Sequence, residues 1–258
     1  MTPKLQLDEP AEGVVRLTID NPERRGALDH ELLDALAGHA RTLDARCLVI
    51  RGTGPVFSAG YDIGNLEDAE FEESAERLVA HPFHDAIEAL EAYAYPVLCE
   101  VNGHAIGGGL ELALTCDIRI ASRDARFAMP PAKLGLIYSH TGLRKFLDVC
   151  GPANTAELFH VGETVDAERA RAMGLVNEVA DPDELGERVL EMAARIAANA
   201  PLSLAGNKRI LRTLRTQPLP EDVERELIEL RESCFRSEDF REGVRAFAEK
   251  RRPRWRGR

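Results

Sequence analysis

A strand that runs into three consecutive glycines is the feature that most constrains this chain. Pro96-Val97-Leu98-Cys99-Glu100-Val101 reads as a buried strand, with proline at its start, where a missing N–H is tolerated. It leads through Asn102-Gly103-His104-Ala105-Ile106 into Gly107-Gly108-Gly109, after which 110–115 reads as a helix. Glycine lets the backbone turn with unusual dihedrals and approach another group closely. A helix N-terminus adds free N–H groups and a partial positive charge. Such a turn serves either as tight packing against a neighbouring element or as a cradle for a developing oxyanion.

A second junction of this kind lies upstream, where Val49-Ile50-Arg51-Gly52 leads through Phe57-Ser58-Ala59-Gly60-Tyr61-Asp62. Further short strands are expected at Val14-Val15-Arg16-Leu17-Thr18-Ile19, Ile118-Arg119-Ile120-Ala121 and Arg126-Phe127-Ala128. Leu28, Leu32, Leu33 and Leu36 recur at helical spacing beside Asp29, a candidate N-cap, and another helix is expected over 76–92. The N-terminal two-thirds thus alternates strands with helices, which implies an α/β core. From Asp183 onward the pattern is almost purely helical, and a composition shift near residue 200 divides a core over 1–200 from a helical C-terminal subdomain over 201–258.

Composition excludes several classes. The chain has 258 residues and a formal charge of −11, which argues against generic binding to nucleic acid. No apolar run approaches the ~20 residues of a membrane helix, and the first residues show no apolar leader. The five cysteines are widely spaced without a CxxC pair, so they read as reduced thiols of a cytoplasmic protein rather than a disulfide or zinc framework. No metal site is expected. The segment 67–76 holds six acids and no base, and 250–258 holds six bases and no acid. Each is first a solvated face; the tail is alternatively a phosphate-facing or subunit-facing edge.

Familiar nucleotide and hydrolase motifs fail. There is no GxxxxGK[ST], and Gly52-Thr53-Gly54 lacks a third glycine. Val56-Phe57-Ser58-Ala59-Gly60 approaches a nucleophile elbow but begins with valine, so Ser58 is expected to be structural.

Taken together, Asn21-Pro22 with Ala27-Leu28, Phe57-Ser58-Ala59-Gly60-Tyr61-Asp62-Ile63, the run from Asn102 through the glycines to Leu110-Glu111-Leu112-Ala113, and Cys116-Asp117-Ile118-Arg119-Ile120-Ala121 resemble the crotonase (enoyl-CoA hydratase/isomerase) superfamily. Thr164, Ala167, Ala170 and Gly174-Leu175-Val176 continue the resemblance, as does Phe247-Ala248-Glu249-Lys250-Arg251-Arg252-Pro253. It implies a spiral of ββα units followed by helices that assemble trimers, often paired into hexamers. It implies an acyl-CoA thioester as substrate, with no separate cofactor. It also implies that the backbone N–H groups of Tyr61 and Gly108 form an oxyanion hole. Chemistry through a thioester enolate suits that pair, because fixed donors stabilise the charged intermediate more than the neutral substrate.

The chain departs from the hydratase pattern at one point. Of the two glutamates that hydratases resemble each other in, Glu111 stands after the glycine turn, but Pro131 follows Phe127-Ala128-Met129-Pro130 where the second would be. Proline neither accepts nor donates a proton, and addition of water needs an acid and a base around one water. Gly135-Leu136-Ile137-Tyr138 and Ser237-Glu238-Asp239-Phe240-Arg241-Glu242-Gly243 look most like the methylmalonyl-CoA decarboxylase branch, although Tyr61 replaces the histidine of that branch. Decarboxylation of a methylmalonyl-CoA-like thioester requires no strong base, and Tyr138 is then the candidate donor, with His140 a candidate beside it. The alternative within the enzyme class is a hydratase or isomerase using Glu111.

The resemblance also places CoA. Arg24 and Arg25 match a basic position facing its phosphates, and Ala27, Ala59, Asp62 and Ile63 match contacts to its adenine part. Phe247 and Lys250 lie in a stretch expected to reach a neighbouring subunit's ligand. A reading from another class, a crotonase-fold scaffold or RNA-binding module, is motivated by the missing glutamate and the basic tail.

Overall fold

The computed structural model describes residues 4–61, 82–134, 138–215 and 253–258, together with 220–223, 225–226, 229, 237–239, 242, 246, 249 and 251. The acidic run 67–76 lies outside the described residues.

Among the described residues, ten strands form two sheets. The first holds six, β1 (Leu5–Ala11), β2 (Val14–Ile19), β3 (Cys47–Gly52), β5 (Val97–Val101), β7 (Ile118–Ser122) and β10 (Glu178–Ala180), in that spatial order. The second holds β4 (Val56–Ser58), β6 (His104–Ile106), β8 (Arg126–Ala128) and β9 (Val165–Asp166). The pairings β2–β3–β5–β7–β10 and β4–β6–β8 are parallel, while β1–β2 and β8–β9 are antiparallel. From β3 to β8 successive strands therefore alternate between the two sheets, and each of these pairs is followed by a helix. The strands β3 and β4 precede a helix at His84–Ala92; β5 and β6 precede one at Gly108–Thr115; β7 and β8 precede the turn Pro131–Leu134 and a helix at His140–Ala156.

Sequence chemistry accounts for these elements. Asp29 caps the helix His30–Thr42, its carboxylate accepting from the Leu32 amide at 3.0 Å, and Leu32, Leu33 and Leu36 face inward. The strands β3 and β5 are apolar almost throughout because the sheet is covered on both faces. One face joins the main core. The other, with Val14, Cys47, Val49, Leu98 and Ile120, packs under the helix Leu185–Ala197 through Leu185, Val189, Ala193 and Ala197. The four described cysteines, Cys47, Cys99, Cys116 and Cys150, are free thiols inside this packing.

Two expectations shift. The helix after the third glycine begins at Gly108 rather than at 110. The segments Val56–Ser58 and His104–Ile106, read above as parts of turns, are strands of the second sheet. Three residues between glycines carry no periodicity, so only the long-range pairing Val56↔His104 and Ser58↔Ala105 defines them. Beyond 200, Pro201–Leu214 is helical, and no described helix is long and apolar enough to cross a membrane.

Candidate active site

The two glycine junctions meet. Gly60 has φ +91°, a left-handed conformation that L side chains rarely adopt, and a Cβ there would lie 2.8 Å from the Ile106 carbonyl oxygen and 3.1 Å from the amide nitrogen of Gly108. The segment around it is held from outside. The Leu28 amide donates to the Gly60 carbonyl at 2.8 Å, and the Ala59 amide donates to the Arg25 carbonyl at 3.0 Å. Arg25 itself takes a left-handed φ of +54°, unusual without glycine, at the end of the 3-10 turn Pro22–Arg24. Ser58 is fully buried, donates to the Gly26 carbonyl at 2.7 Å and accepts from the Gly60 amide at 3.2 Å, so it fastens the turn as the sequence suggested. Gly109 must be glycine for another reason, since a Cβ there would press on the Ser58 carbonyl and stand 2.7 Å from the Ser58 Cβ.

This contact brings Tyr61 and Gly108 side by side. The Tyr61 ring lies over Gly108, its Cε1 and Cζ each 3.0 Å from where a Cβ on that glycine would sit. Among the described residues neither the Tyr61 nor the Gly108 amide donates to a carbonyl. The Gly108 amide opens a helix whose eight residues are all buried, which adds the favourable end of the helix dipole.

Glu111 is one turn further along the same helix and only 5% exposed. The Tyr138 hydroxyl donates to its Oε2. Burial raises the Glu111 pKa from its ordinary value, and the Tyr138 hydrogen bond and the Lys145 ammonium act against that rise. Burial together with the Glu111 charge also pushes both phenols up, and the Tyr61 hydroxyl interacts with that of Tyr138. Aromatic packing fixes the two rings. Tyr61 meets Phe83 edge-on at 4.8 Å between centroids, and Tyr138 meets Phe159 at 5.5 Å, which in turn meets Phe146 at 5.0 Å.

The other residues singled out in the sequence fall at varied distances from this cluster. Pro131 is buried and opens the turn Pro131–Leu134, so no carboxylate stands at the second glutamate position. His140 follows the cap Ser139 at the start of its helix, but its side chain is exposed and takes no part in the hydrogen bonds that join Glu111 and Tyr138. Arg24 and Arg25 are exposed on the turn beside Ala27, which is buried, and Ala59, which is exposed. Asp62, Ile63, Phe247 and Lys250 lie outside the described residues.

Lys145, Thr115, Glu91 and Gly142 were missed. A lysine in Leu143-Arg144-Lys145-Phe146 looks like a surface cation. The available signal was periodicity: Gly142, Lys145, Phe146 and Cys150 share one helical face, and all four are buried. Among the described residues of the basic tail, three arginines meet carboxylates of the same chain. Arg251 pairs with Glu242 and Glu249, Arg256 and Arg258 approach Glu238, and Asp239 accepts from the Arg256 and Gly257 amides.

A family model described as enoyl-CoA hydratase/isomerase matches residues 9–258. The chain belongs to the enoyl-CoA hydratase/isomerase family. It is 33% identical over 249 residues to a "Probable enoyl-CoA hydratase" of Bacillus subtilis, with 95% of each chain covered. It is 33% identical over 258 residues to a "Carnitinyl-CoA dehydratase" of Salmonella typhi, again with 95% of each covered. The crystal structure of an enoyl-CoA hydratase from Bacillus anthracis superposes with a TM-score of 0.91 at 27% identity, covering 99% of this chain and 100% of that one. Within this family the two-sheet spiral and its alternating strands are the crotonase fold, and the chain is an enzyme of that superfamily.

Proposed function

We propose that this hydratase/isomerase-family enzyme moves a proton at the α-carbon of an acyl-CoA thioester, with Glu111 as its single proton carrier. The observation that carries the reading is Glu111 itself, a nearly buried carboxyl of raised proton affinity that accepts from Tyr138, whose hydroxyl in turn interacts with that of Tyr61. A general acid or base works best when its pKa is drawn toward the working pH, and burial does that here.

In the proposed step the Glu111 carboxylate takes the proton from the α-carbon, and the C–H electrons pass into the thioester to give an enolate. The Tyr61 and Gly108 amides donate to the enolate oxygen. Glu111 then returns the proton, either to the same carbon or to another carbon of the conjugated system. A double-bond shift closes on this one carrier. Addition of water closes on it too if the proton that Glu111 takes from water is the one it delivers to the α-carbon.

A second reading is favoured by Pro131. With no second carboxylate, decarboxylation of a malonyl-type thioester uses the same enolate and oxyanion donors without a base, and Tyr138 protonates the product. One experiment separates the two. The protein is incubated in D2O with butyryl-CoA, and deuterium entering C2 is followed by NMR; parallel samples receive methylmalonyl-CoA and are assayed for CO2. Deuterium wash-in that is lost in Glu111→Gln supports the proton-carrier reading. CO2 release that survives Glu111→Gln, with no wash-in by the wild type, replaces it with decarboxylation.

A further inference from the structure

Lys145 is a buried ammonium outside the groups just assigned. It is 6% exposed, on the inward face of the helix His140–Ala156. Its Nζ donates to the Glu91 Oε1 at 2.6 Å and to the Thr115 Oγ1 at 2.8 Å. Thr115 ends the helix that carries Glu111, and its hydroxyl donates in turn to the Glu111 carbonyl at 2.9 Å. Taking an ammonium out of water costs several kcal/mol, and an apolar side chain of similar volume would pack here without that cost.

We propose that Lys145 is a positioning residue for Glu111: its ammonium, locked between Glu91 and Thr115 at the C-terminal end of the Glu111 helix, sets the proton affinity of the Glu111 carboxyl. The inference rests on the proposed role of Glu111. The geometry fixes the charge in two ways. Glu91, on the helix His84–Ala92, holds the ammonium by charge, and Thr115 ties it to the backbone carrying the carboxyl. A cation also suits a helix C-terminus, where the dipole is negative. Among the described residues, the charged and titratable groups facing Glu111 are Tyr61 from the first glycine turn, Tyr138 just before the helix His140–Ala156, Lys145 on that helix, and Glu91 with the exposed His84 on the helix His84–Ala92. Lys145 favours the carboxylate and Glu91 opposes it, and the ammonium acts more strongly. The two partners of one ion pair therefore push the same carboxyl in opposite directions.

That opposition is the test. The protein is labelled with 13C at the glutamate side-chain carboxyls, the Glu111 signal is assigned by its loss in Glu111→Gln, and its titration is followed in each variant. Lys145→Met moves the titration to higher pH, because the charge that favours the carboxylate is gone. Glu91→Gln moves it to lower pH, and Lys145→Arg restores the wild-type midpoint. A merely structural role leaves the midpoint in place or moves it the same way in both variants, and either result overturns the proposal. If Lys145→Met does not fold, Glu91→Gln decides alone: a downward shift supports the proposal, and an unchanged or upward midpoint overturns it. Deuterium wash-in that persists in Glu111→Gln would remove the proton-carrier reading separately, because the titration reads the electrostatic coupling without turnover.

Discussion

The Tyr138 hydroxyl reaches Glu111 across the space that residue 142 leaves empty. A Cβ on Gly142 would lie 2.5 Å from the Tyr138 Cε1 and 3.0 Å from the Glu111 Oε2. The contact between phenol and carboxyl thus depends on a glycine in the first turn of a helix, where glycine is otherwise a poor choice.

Gly142→Ala separates these effects. The new methyl displaces a ring wedged against Phe159, so turnover falls by about tenfold or more, as misplacement of a catalytic contact does. The helix gains propensity of up to about 1 kcal/mol, which offsets the local crowding. Steady-state kinetics alongside thermal unfolding should show activity lost with little change in melting temperature.

Tyr138→Phe keeps the ring and deletes the donor. That hydrogen bond holds the Glu111 pKa down against burial, so its loss moves the acidic limb of the pH–rate profile to higher pH. Turnover falls by about 10²-fold, the lower range for a proton-transfer contact. The profile of kcat/KM for the free enzyme is the measurement, and a limb that stays in place would mean the hydroxyl does not act on Glu111.

Gly109→Ala tests the seam between the two turns. The added Cβ meets the Ser58 backbone and its Cβ, neither of which is the end of a flexible side chain. The neighbouring strand β4 is pinned by pairing with β6, so the clash has no easy relief. The expected loss is about 3 kcal/mol in urea unfolding, together with loss of whatever the Tyr61 and Gly108 amides bind.

These cases mark what the sequence makes legible. The glycine junctions, the capped helix after Asp29 and the apolar strands were readable because each is written in local residues: Gly where the chain must turn, Asp before a leucine face, unbroken aliphatics where both sheet faces are covered. Glu111 and Tyr138 entered the candidate site through the family resemblance of the motifs in which they stand. The ion pair of Lys145 with Glu91 was not readable, because 54 residues separate the partners and only the packing of two helices joins them. The strands Val56–Ser58 and His104–Ile106 were hidden for the same reason: a three-residue strand is defined by its neighbour and not by its own pattern.

A last prediction concerns a carboxyl outside this cluster. Glu100 on β5 is 2% exposed; one oxygen lies 3.2 Å from the Arg51 guanidinium, and the other, Oε2, has no hydrogen-bond partner among the described residues. Burial raises its pKa, and the charges of Arg51 and Arg16 only partly oppose this. A carboxyl with a raised folded-state pKa holds its proton more tightly folded than unfolded. The stabilisation from that proton is fully present below the ordinary carboxyl range and is lost as pH rises through the higher folded value. Above that value the protein carries a buried, half-satisfied charge. Glu100→Gln removes the titration and keeps the shape. Relative to the wild type, the variant therefore gains stability as pH rises from about 4 to 7. Urea unfolding of both proteins across that range checks this. A wild-type advantage that grows toward neutral pH would show instead that Arg51 and Arg16 hold Glu100 as a net stabilising carboxylate.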